Sequence, residues 1–248
     1  DIIHTHGSKT TSIANIIVKF LRIKHVSTMH GIKKNTAVYK KSSKTIVVSN
    51  IANETINNQG IVIKNWWSPD LPEEIDNAKE YALAIGRLEK VKGFDLLIKS
   101  WIGIESKLVI VGSGDEYKNL KGLISDNKLQ EKISIVADLP FKELIKFYSK
   151  ASILIVSSRN EGGPRVALEA LYLKIPVIST NVGHMAEILP QELLAKPNDL
   201  ESLRTLIHSY VGNNNINQDA IFRYVNEEYS LTKQSNKVID IYKELLVS

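Results

Sequence analysis

The sequence predicts an α/β protein with two parallel-sheet domains, the first of them incomplete. Short β-branched runs alternate with helical patterns almost from end to end, as parallel strands joined by crossover helices require. The alternation breaks at residues 64–72 (KNWWSPDLP), where two prolines and polar residues interrupt the periodicity. About four strand-like runs precede the break, too few for a doubly wound domain, and a full set of roughly six follows in about 150 residues.

In chain order, residues 2–4, 26–28, 45–48 and 61–63 read as strands of the first unit. Residues 81–85, 107–111, 133–136, 153–156 and 177–179 read as strands of the second. Between them lie segments of helical period, such as 94–101 with Phe94, Leu97, Ile98 and Trp101 on one face. Residues 232–246 predict a long amphipathic helix that aligns Val238, Ile241, Tyr242 and Leu245. The expected domains are a remnant at 1–66, a linker at 67–77, a nucleotide-type domain at 78–231 and a helix at 232–248 that packs back toward the first domain. Apart from a short turn at Asn213, Asn214 and Asn215, no repeat or low-complexity segment stands out.

At 248 residues, 43% hydrophobic and 24% charged, the chain is ordinary for a globular protein and able to bury a core without staples. It contains no cysteine, which excludes disulfide scaffolds, thiolate zinc sites, iron–sulfur clusters and cysteine nucleophiles. The longest apolar stretch, 13–23, is broken by Asn15, Lys19 and Arg22, far short of the roughly 18 residues of a spanning helix. The sequence opens at Asp1 directly on a strand-like run, the expectation for a fragment or processed product.

Net charge is +5, and residues 1–53 carry nine basic side chains against Asp1 alone. Such a segment attracts phosphates, whether of nucleic acid or of lipid headgroups, or else only keeps a surface solvated. No zinc-finger, RNP-type or basic-zipper pattern is present, so no nucleic-acid partner is expected.

In open parallel sheets, ligands bind beyond the carboxyl ends of the strands. Three loops in such positions carry polar groups. After strand 81–85, Gly86 permits a tight turn, and Arg87 and Lys92 precede the helix at 94, two cations beside a helix N-terminus. After strand 107–111, Gly112-Ser113-Gly114 is an incomplete dinucleotide fingerprint that marks a close backbone approach or a tight turn, the turn being favoured. After strand 153–156 comes Ser157-Ser158-Arg159-Asn160-Glu161-Gly162-Gly163-Pro164-Arg165-Val166, with Pro164 placed to suit a first helical turn and backbone N–H groups aimed above the sheet. Glu169, among Val166, Leu168, Ala170 and Leu171, is costly to bury unless it accepts hydrogen bonds, and sugar hydroxyls are good donors to a carboxylate.

Glu161-x7-Glu169 within EGGPRVALEA, followed by IPVIST, resembles the signature of retaining glycosyltransferase family 4, of the GT-B fold. GRLEKVKGFDLLI and LVIVGSGDEYKNLK resemble two other landmarks of that family's nucleotide-binding half. DIIHTHGSKT, STMHG and KTIVVSN resemble the closing strands of its acceptor-side domain, whose opening strand and glycine-rich loop are missing here. The resemblance implies two Rossmann-like domains and a retaining hexosyltransferase-like enzyme of polysaccharide or cell-surface glycan synthesis. Its donor would be a nucleoside-diphosphate-sugar and its acceptor a glycan or lipid-linked chain. Gly86, Arg87, Lys92, the backbone of Gly162, Gly163, Pro164, Arg165 and Val166, and Glu161 and Glu169 would bind the donor. Glu161, His6, Arg87 and Lys92 would form the catalytic set, with Glu169 on the ribose, Glu161 on the transferred sugar and His6 facing that sugar from the first domain. No metal and no cofactor is implied, since cations and a helix end offset the leaving diphosphate. A cytoplasmic protein at the inner face of the membrane is expected, touching anionic lipid through the basic segment.

The sequence departs from the family at Lys174 and His184, where glycine is common, and at Ala137-Asp138, where a glycine usually lies beside the base. Other readings are a catalytically silent module that binds nucleotide-sugar or a partner, and then an NAD-type oxidoreductase, disfavoured by the incomplete fingerprint.

Overall fold

A computed structural model describes residues 1–33, 35–76, 78–212 and 216–247; the turn expected at 213–215 lies outside them. Two wholly parallel sheets form. The first holds β1 (Ile2–His6), β2 (Lys24–Met29), β3 (Lys44–Val47) and β4 (Ile61–Val62), in the order β1-β2-β3-β4. The second holds β5 (Tyr81–Ile85), β6 (Leu108–Val111), β7 (Ile133–Val136), β8 (Ala151–Val156), β9 (Val177–Thr180) and β10 (Leu194–Ala195), in the order β10-β9-β8-β5-β6-β7. This is the strand order of a doubly wound nucleotide-binding domain, and its topological switch point lies between β5 and β8. Helices α1 (Ser8–Leu21) and α2 (Asn50–Glu54) belong to the first sheet. Around the second lie α3 (Phe94–Ser100), α4 (Tyr117–Asp126), α5 (Phe141–Tyr148), α6 (Arg165–Tyr172), α7 (Met185–Ile188), α8 (Leu200–Tyr210) and α9 (Asp219–Glu228), and α10 (Leu231–Val247) closes the chain.

The second sheet is covered on both faces, so its central strands are apolar throughout: all four residues of β6 (LVIV) are buried. One continuous core surrounds it and takes in the fully buried Trp101, Tyr148 and Tyr229. Helix starts are capped where the sequence offers a cap, with Ser49 Oγ accepting from Ala52 N (3.2 Å) and Asp199 Oδ1 from Ser202 N (3.0 Å). Two-residue β10 is too short to show a period and escaped the sequence reading. The Gly112–Gly114 loop differs from expectation too. A Cβ at Gly112 would overlap the Gly86 carbonyl, so the glycine serves close approach of the loops after β5 and β6 rather than a tight turn alone.

The first sheet is thinner. Val26, Ile46 and Ile63 pack on one face against Ile241 and Leu245 of α10, so the last helix covers the first domain. On α1 the usual polarity is inverted. Its buried residues are Thr11, Ala14 and Asn15, tied to the sheet by Thr5 Oγ1–Thr11 Oγ1 (3.0 Å) and by His25 Nδ1–Asn15 Oδ1 (3.0 Å). Its outward side carries Ile13, Ile16, Ile17, Phe20 and Leu21, between 43 and 82% exposed.

Lys174, after the end of α6, sits at φ 58° in the left-handed region, which explains why glycine suits this position. A Cβ there costs about 1 kcal/mol or somewhat more. Lys174→Gly is therefore expected to raise the urea midpoint by the equivalent of about 1 kcal/mol, and an unchanged or lower midpoint would contradict the strain.

Candidate active site

At the switch point the loop after β5 runs through a short 3-10 turn, Lys90–Lys92, and the loop after β8 runs from Ser157 toward α6. The loops are stitched together by Arg159 N donating to Val91 O (2.7 Å) and by Ser157 Oγ donating to Lys92 O (2.9 Å). Lys92 Nζ then forms an ion pair with the Glu161 carboxylate, which also accepts from Ser158 Oγ at 3.0 Å. Both side chains of the pair are mostly buried.

Arg87 is not part of this pair. It is exposed, pairs with Glu89 (2.7 Å) and rims a cleft of about 230 Å³ with Gly86, Gly112, Ser113 and Asp138. Of the two cations expected beside the α3 N-terminus, Lys92 directly precedes the Gly93 cap, and the first turn of α3 carries an acid as well. That first turn already holds the Asp95 carboxylate, gripped by both Arg159 amino groups at 2.7 Å. Burial pushes Asp95 upward, but the hydrogen bonds and charge of Arg159 outweigh it and hold the carboxyl below its usual range.

Glu169 lies on α6 at 6% exposure, and Tyr148 Oη donates to its Oε2 at 2.9 Å. Burial raises the Glu169 carboxyl, while Tyr148 and Arg165 pull it back only in part. Tyr148, fully buried at the end of α5, was not singled out from the sequence; 21 residues separate the two and no pattern links them. Pro164 occupies the cap position, one residue before the first helical turn, and Arg165 and Val166 open α6. Since proline has no N–H, the donors at this helix start are those of Gly163, Arg165 and Val166.

The loop itself is pinched between the domains. A Cβ at Gly162 would overlap the His30 carbonyl oxygen and Gly31, and one at Gly163 would overlap the His184 ring. Asn65 Nδ2 donates to Gly163 O (2.8 Å), and Lys64 Nζ bridges Glu187 (3.0 Å) and the Tyr229 hydroxyl (3.0 Å). Glu187 also accepts from Asn50 N at the start of α2 (3.2 Å). His184 is wholly buried, edge-on to Tyr229, and among the described residues neither ring nitrogen has a hydrogen-bond partner. Burial, and then the Lys64 charge, push its pKa down to about 3.

His6 ends β1 and faces out of the sheet. Its Nδ1 lies 2.8 Å from His30 Nε2, and its ring stacks on His4 at 4.5 Å. The structure thus joins Lys92 with Glu161, sets Glu169 beside Tyr148, and links His6 through His30 to the Gly162 loop, while Arg87 stays at the rim. Asn65, Tyr148, Ser158 and His30 were given no role from the sequence, although Ser158 stood in the quoted loop after strand 153–156, His30 in STMHG and Asn65 in the break at 64–72.

Residues 70–224 match the family model described as glycosyl transferases group 1. The chain belongs to that family. An uncharacterized glycosyltransferase of Methanocaldococcus jannaschii is 31% identical over 235 residues, covering 86% of this chain and 66% of that protein. The O-antigen biosynthesis glycosyltransferase WclY of Escherichia coli is 29% identical over 163 residues, 64% of this chain and 45% of its own length. The chain therefore spans less than two thirds of these curated relatives. Among solved structures, sucrose-phosphate synthase of Thermosynechococcus elongatus superposes with a TM-score of 0.86 at 19% identity, over 99% of this chain and 74% of that one. Anabaena HepE in complex with UDP gives 0.86 at 15% identity, over 98% and 79%. The fold is that of the GT-B glycosyltransferases, two Rossmann-like domains facing across a cleft.

In this group 1 glycosyltransferase the buried imidazoles set an acid limit. His184 is neutral when folded and ordinary when unfolded, so the unfolded chain takes up a proton first as pH falls. Its contribution is complete above about pH 6.5 and is lost progressively toward about 3, at up to about 1.4 kcal/mol per pH unit. His4, pushed down to about 4 by burial and then by His6, His30 and His25, adds to the same slope. Urea titrations from pH 7 to 4 should show a shallower acid limb in His184→Leu than in the wild type; identical limbs would refute the buried neutral state.

Proposed function

We propose that the protein transfers a sugar from a nucleoside-diphosphate-sugar to a glycan or lipid-linked acceptor, with retention at the anomeric carbon. The observation that carries this reading is the Lys92–Glu161 pair at the switch point, beneath the Gly162–Gly163 loop and beside the helix start at Arg165. A diphosphate arriving there competes with Glu161 for Lys92, and the released carboxylate is free to accept from hydroxyls of the transferred sugar. Arg87, tethered among the described residues to neighbouring Glu89, swings in as the second cation. Glu169, already fixed by Tyr148, offers its remaining lone pairs to the ribose hydroxyls. Charge that develops on the leaving diphosphate is then met by Lys92, Arg87 and backbone N–H groups. Retention places the acceptor oxygen on the face from which the diphosphate departs, so a departing phosphate oxygen takes the acceptor's proton as the C–O bond forms. The reading requires no metal for the leaving group.

HepE structures hold UDP and UDP-glucose, which makes UDP-sugars the first donors to test. Loss of a hydrogen bond to a charged group costs about 1.5–3 kcal/mol, ten- to a hundredfold or more. Calorimetry should show Glu169→Ala weakening UDP and UDP-glucose alike by that factor, whereas Glu161→Ala weakens UDP-glucose more than UDP. Lys92→Ala and Arg87→Ala should flatten the preference for UDP over uridine. Equal wild-type affinities for UDP and uridine would contradict the phosphate role, and turnover in a transfer assay separates an enzyme from a silent binding module.

We further propose that the protein works at an anionic membrane. No helix among the described residues is long and apolar enough to cross one, but the outward apolar side of α1 is flanked by exposed Lys9, Lys19 and Arg22. Apolar groups ringed by cations suit the headgroup boundary, where each basic residue contributes about 1 kcal/mol. Phosphatidylglycerol vesicles should pellet the protein at low salt and release part of it at 1 M salt; equal behaviour with neutral vesicles would leave this as a solvated or protein-covered surface.

A further inference from the structure

We infer that the cleft beyond β5, β6 and β7 holds the base of the donor nucleotide, and that Asp138 selects a guanine there over a uracil. The inference rests on the proposed donor reading for the phosphate and ribose ends, and adds which base the donor carries.

The cleft is held by main chain. Gly86 N donates to Val111 O (3.0 Å), Gly112 N to Val136 O (2.8 Å) and Leu88 N to Ser113 O (2.9 Å), so the loops after all three strands are joined. Its walls are the apolar side chains of Ile85, Val111, Leu139 and Leu144, while Gly86 and Gly112 add none of their own. At about 230 Å³ it is smaller than the roughly 300–1,000 Å³ of a pocket that takes a whole ligand. A flat heterocycle suits such walls, and a diphosphate does not.

Its neighbours set the order of the ligand's parts. Arg87, the cation assigned to the diphosphate, rims the cleft. Leu144 lies four residues before Tyr148 on α5 and so on the same helix face. Tyr148 in turn holds Glu169, the carboxylate assigned to the ribose. A nucleotide bound by those groups brings its base to the cleft.

Besides Arg87, the polar side chains of the lining are Ser113 and Asp138, both exposed. The direction of their hydrogen bonds follows from the groups themselves. Asp138 N donates to Ser113 Oγ (3.1 Å), and that hydroxyl donates to Asp138 Oδ1, because a carboxylate only accepts. One oxygen is thereby anchored. Among the described residues Oδ2 has no hydrogen-bond or ion-pair partner, so it and the second lone pair of Oδ1 remain to accept. Guanine offers two adjacent donors, N1–H and the 2-amino group, whereas uracil offers one N–H between two carbonyls. Beside guanine the carboxylate gains two charge-assisted bonds; beside uracil it gains one and faces two oxygens that it repels.

The test measures GDP, inosine diphosphate and UDP by calorimetry on residues 1–248, as wild type and as Asp138→Asn. Inosine diphosphate is GDP without the 2-amino group. Asp138→Asn keeps an oxygen for Ser113 but replaces an acceptor with an amide donor. The wild type should bind GDP about fivefold or more tighter than UDP, as the loss of one charged hydrogen bond implies, with inosine diphosphate between them. In Asp138→Asn the three should fall within about twofold of one another. Inosine diphosphate as tight as GDP in the wild type, or a GDP preference that survives Asp138→Asn, would overturn the assignment. So would an equal loss of all three in Asp138→Asn, which would put the carboxylate on ribose or phosphate instead. UDP binding as tightly as GDP leaves the donor reading standing and removes the base assignment alone; if none of the three binds, the donor reading fails and the base assignment falls with it.

Discussion

The peptide at Gly162 lies so close to the His30 carbonyl that no side chain fits between them, and this exclusion sets where the two domains meet. On the other side a Cβ at Gly183 would stand 2.6 Å from the Gly162 carbonyl oxygen, so the loop is held from both sides by backbone. Such a contact is stiff, since main chain cannot rotate away as a side chain does. It brings the end of β2 against the loop after β8, so the carboxyl ends of both sheets open into the same cleft. His30, bonded through its ring to His6 of β1, meets the loop that follows Glu161 at this contact.

Around it, polar groups are paired across the domain boundary. Lys64, on the chain leaving β4, carries a pKa that burial would lower, yet the Tyr229 hydroxyl and Glu187 raise it overall. A buried ammonium of this kind is tolerable only with several oxygen partners, and removing one leaves an uncompensated charge. Glu187 is similarly occupied by Lys64 and by the amide of Asn50. With Asn65 bonded to the Gly163 carbonyl and α10 packed on Val26, Ile46 and Ile63, the chain crosses between domains twice, each time with its own contacts. The exception is His184, which takes the space a family glycine leaves and has no polar partner there among the described residues. Neutrality is the only state such a ring can hold beside Lys64.

Much of this could be read before any coordinates. Strand periodicity located nine of the ten strands, because buried parallel strands leave continuous apolar runs such as Leu108–Val111. Glycine and carboxylate spacing located the loop at 161–169, because a loop that must approach another backbone can only use glycine at the contact. What the sequence concealed were relations between distant segments. Tyr148 meets Glu169 only because α5 and α6 flank neighbouring turns of the fold, and Asp95 meets Arg159 across the switch point. The inverted polarity of α1 was concealed as well, since period alone identifies an apolar stripe without saying which way it faces.

Charge is divided across the cleft in a way that bears on chemistry. On the second-domain side, Lys92 sits within ion-pair distance of a carboxylate and Arg87 stands at the rim, so positive charge is available but already balanced. On the first-domain side, His4 and His30 are held below their ordinary values in a cluster of rings that disfavours a second proton. That side therefore offers directional hydrogen bonds with little net charge. A leaving diphosphate needs cations where its negative charge grows, whereas a neutral sugar needs donors and acceptors of fixed direction. Under the proposed donor reading, those two needs are met by a lysine that can exchange a carboxylate for a phosphate and by the His4 and His30 rings, with the glycine contact at 162 bringing the two sides together.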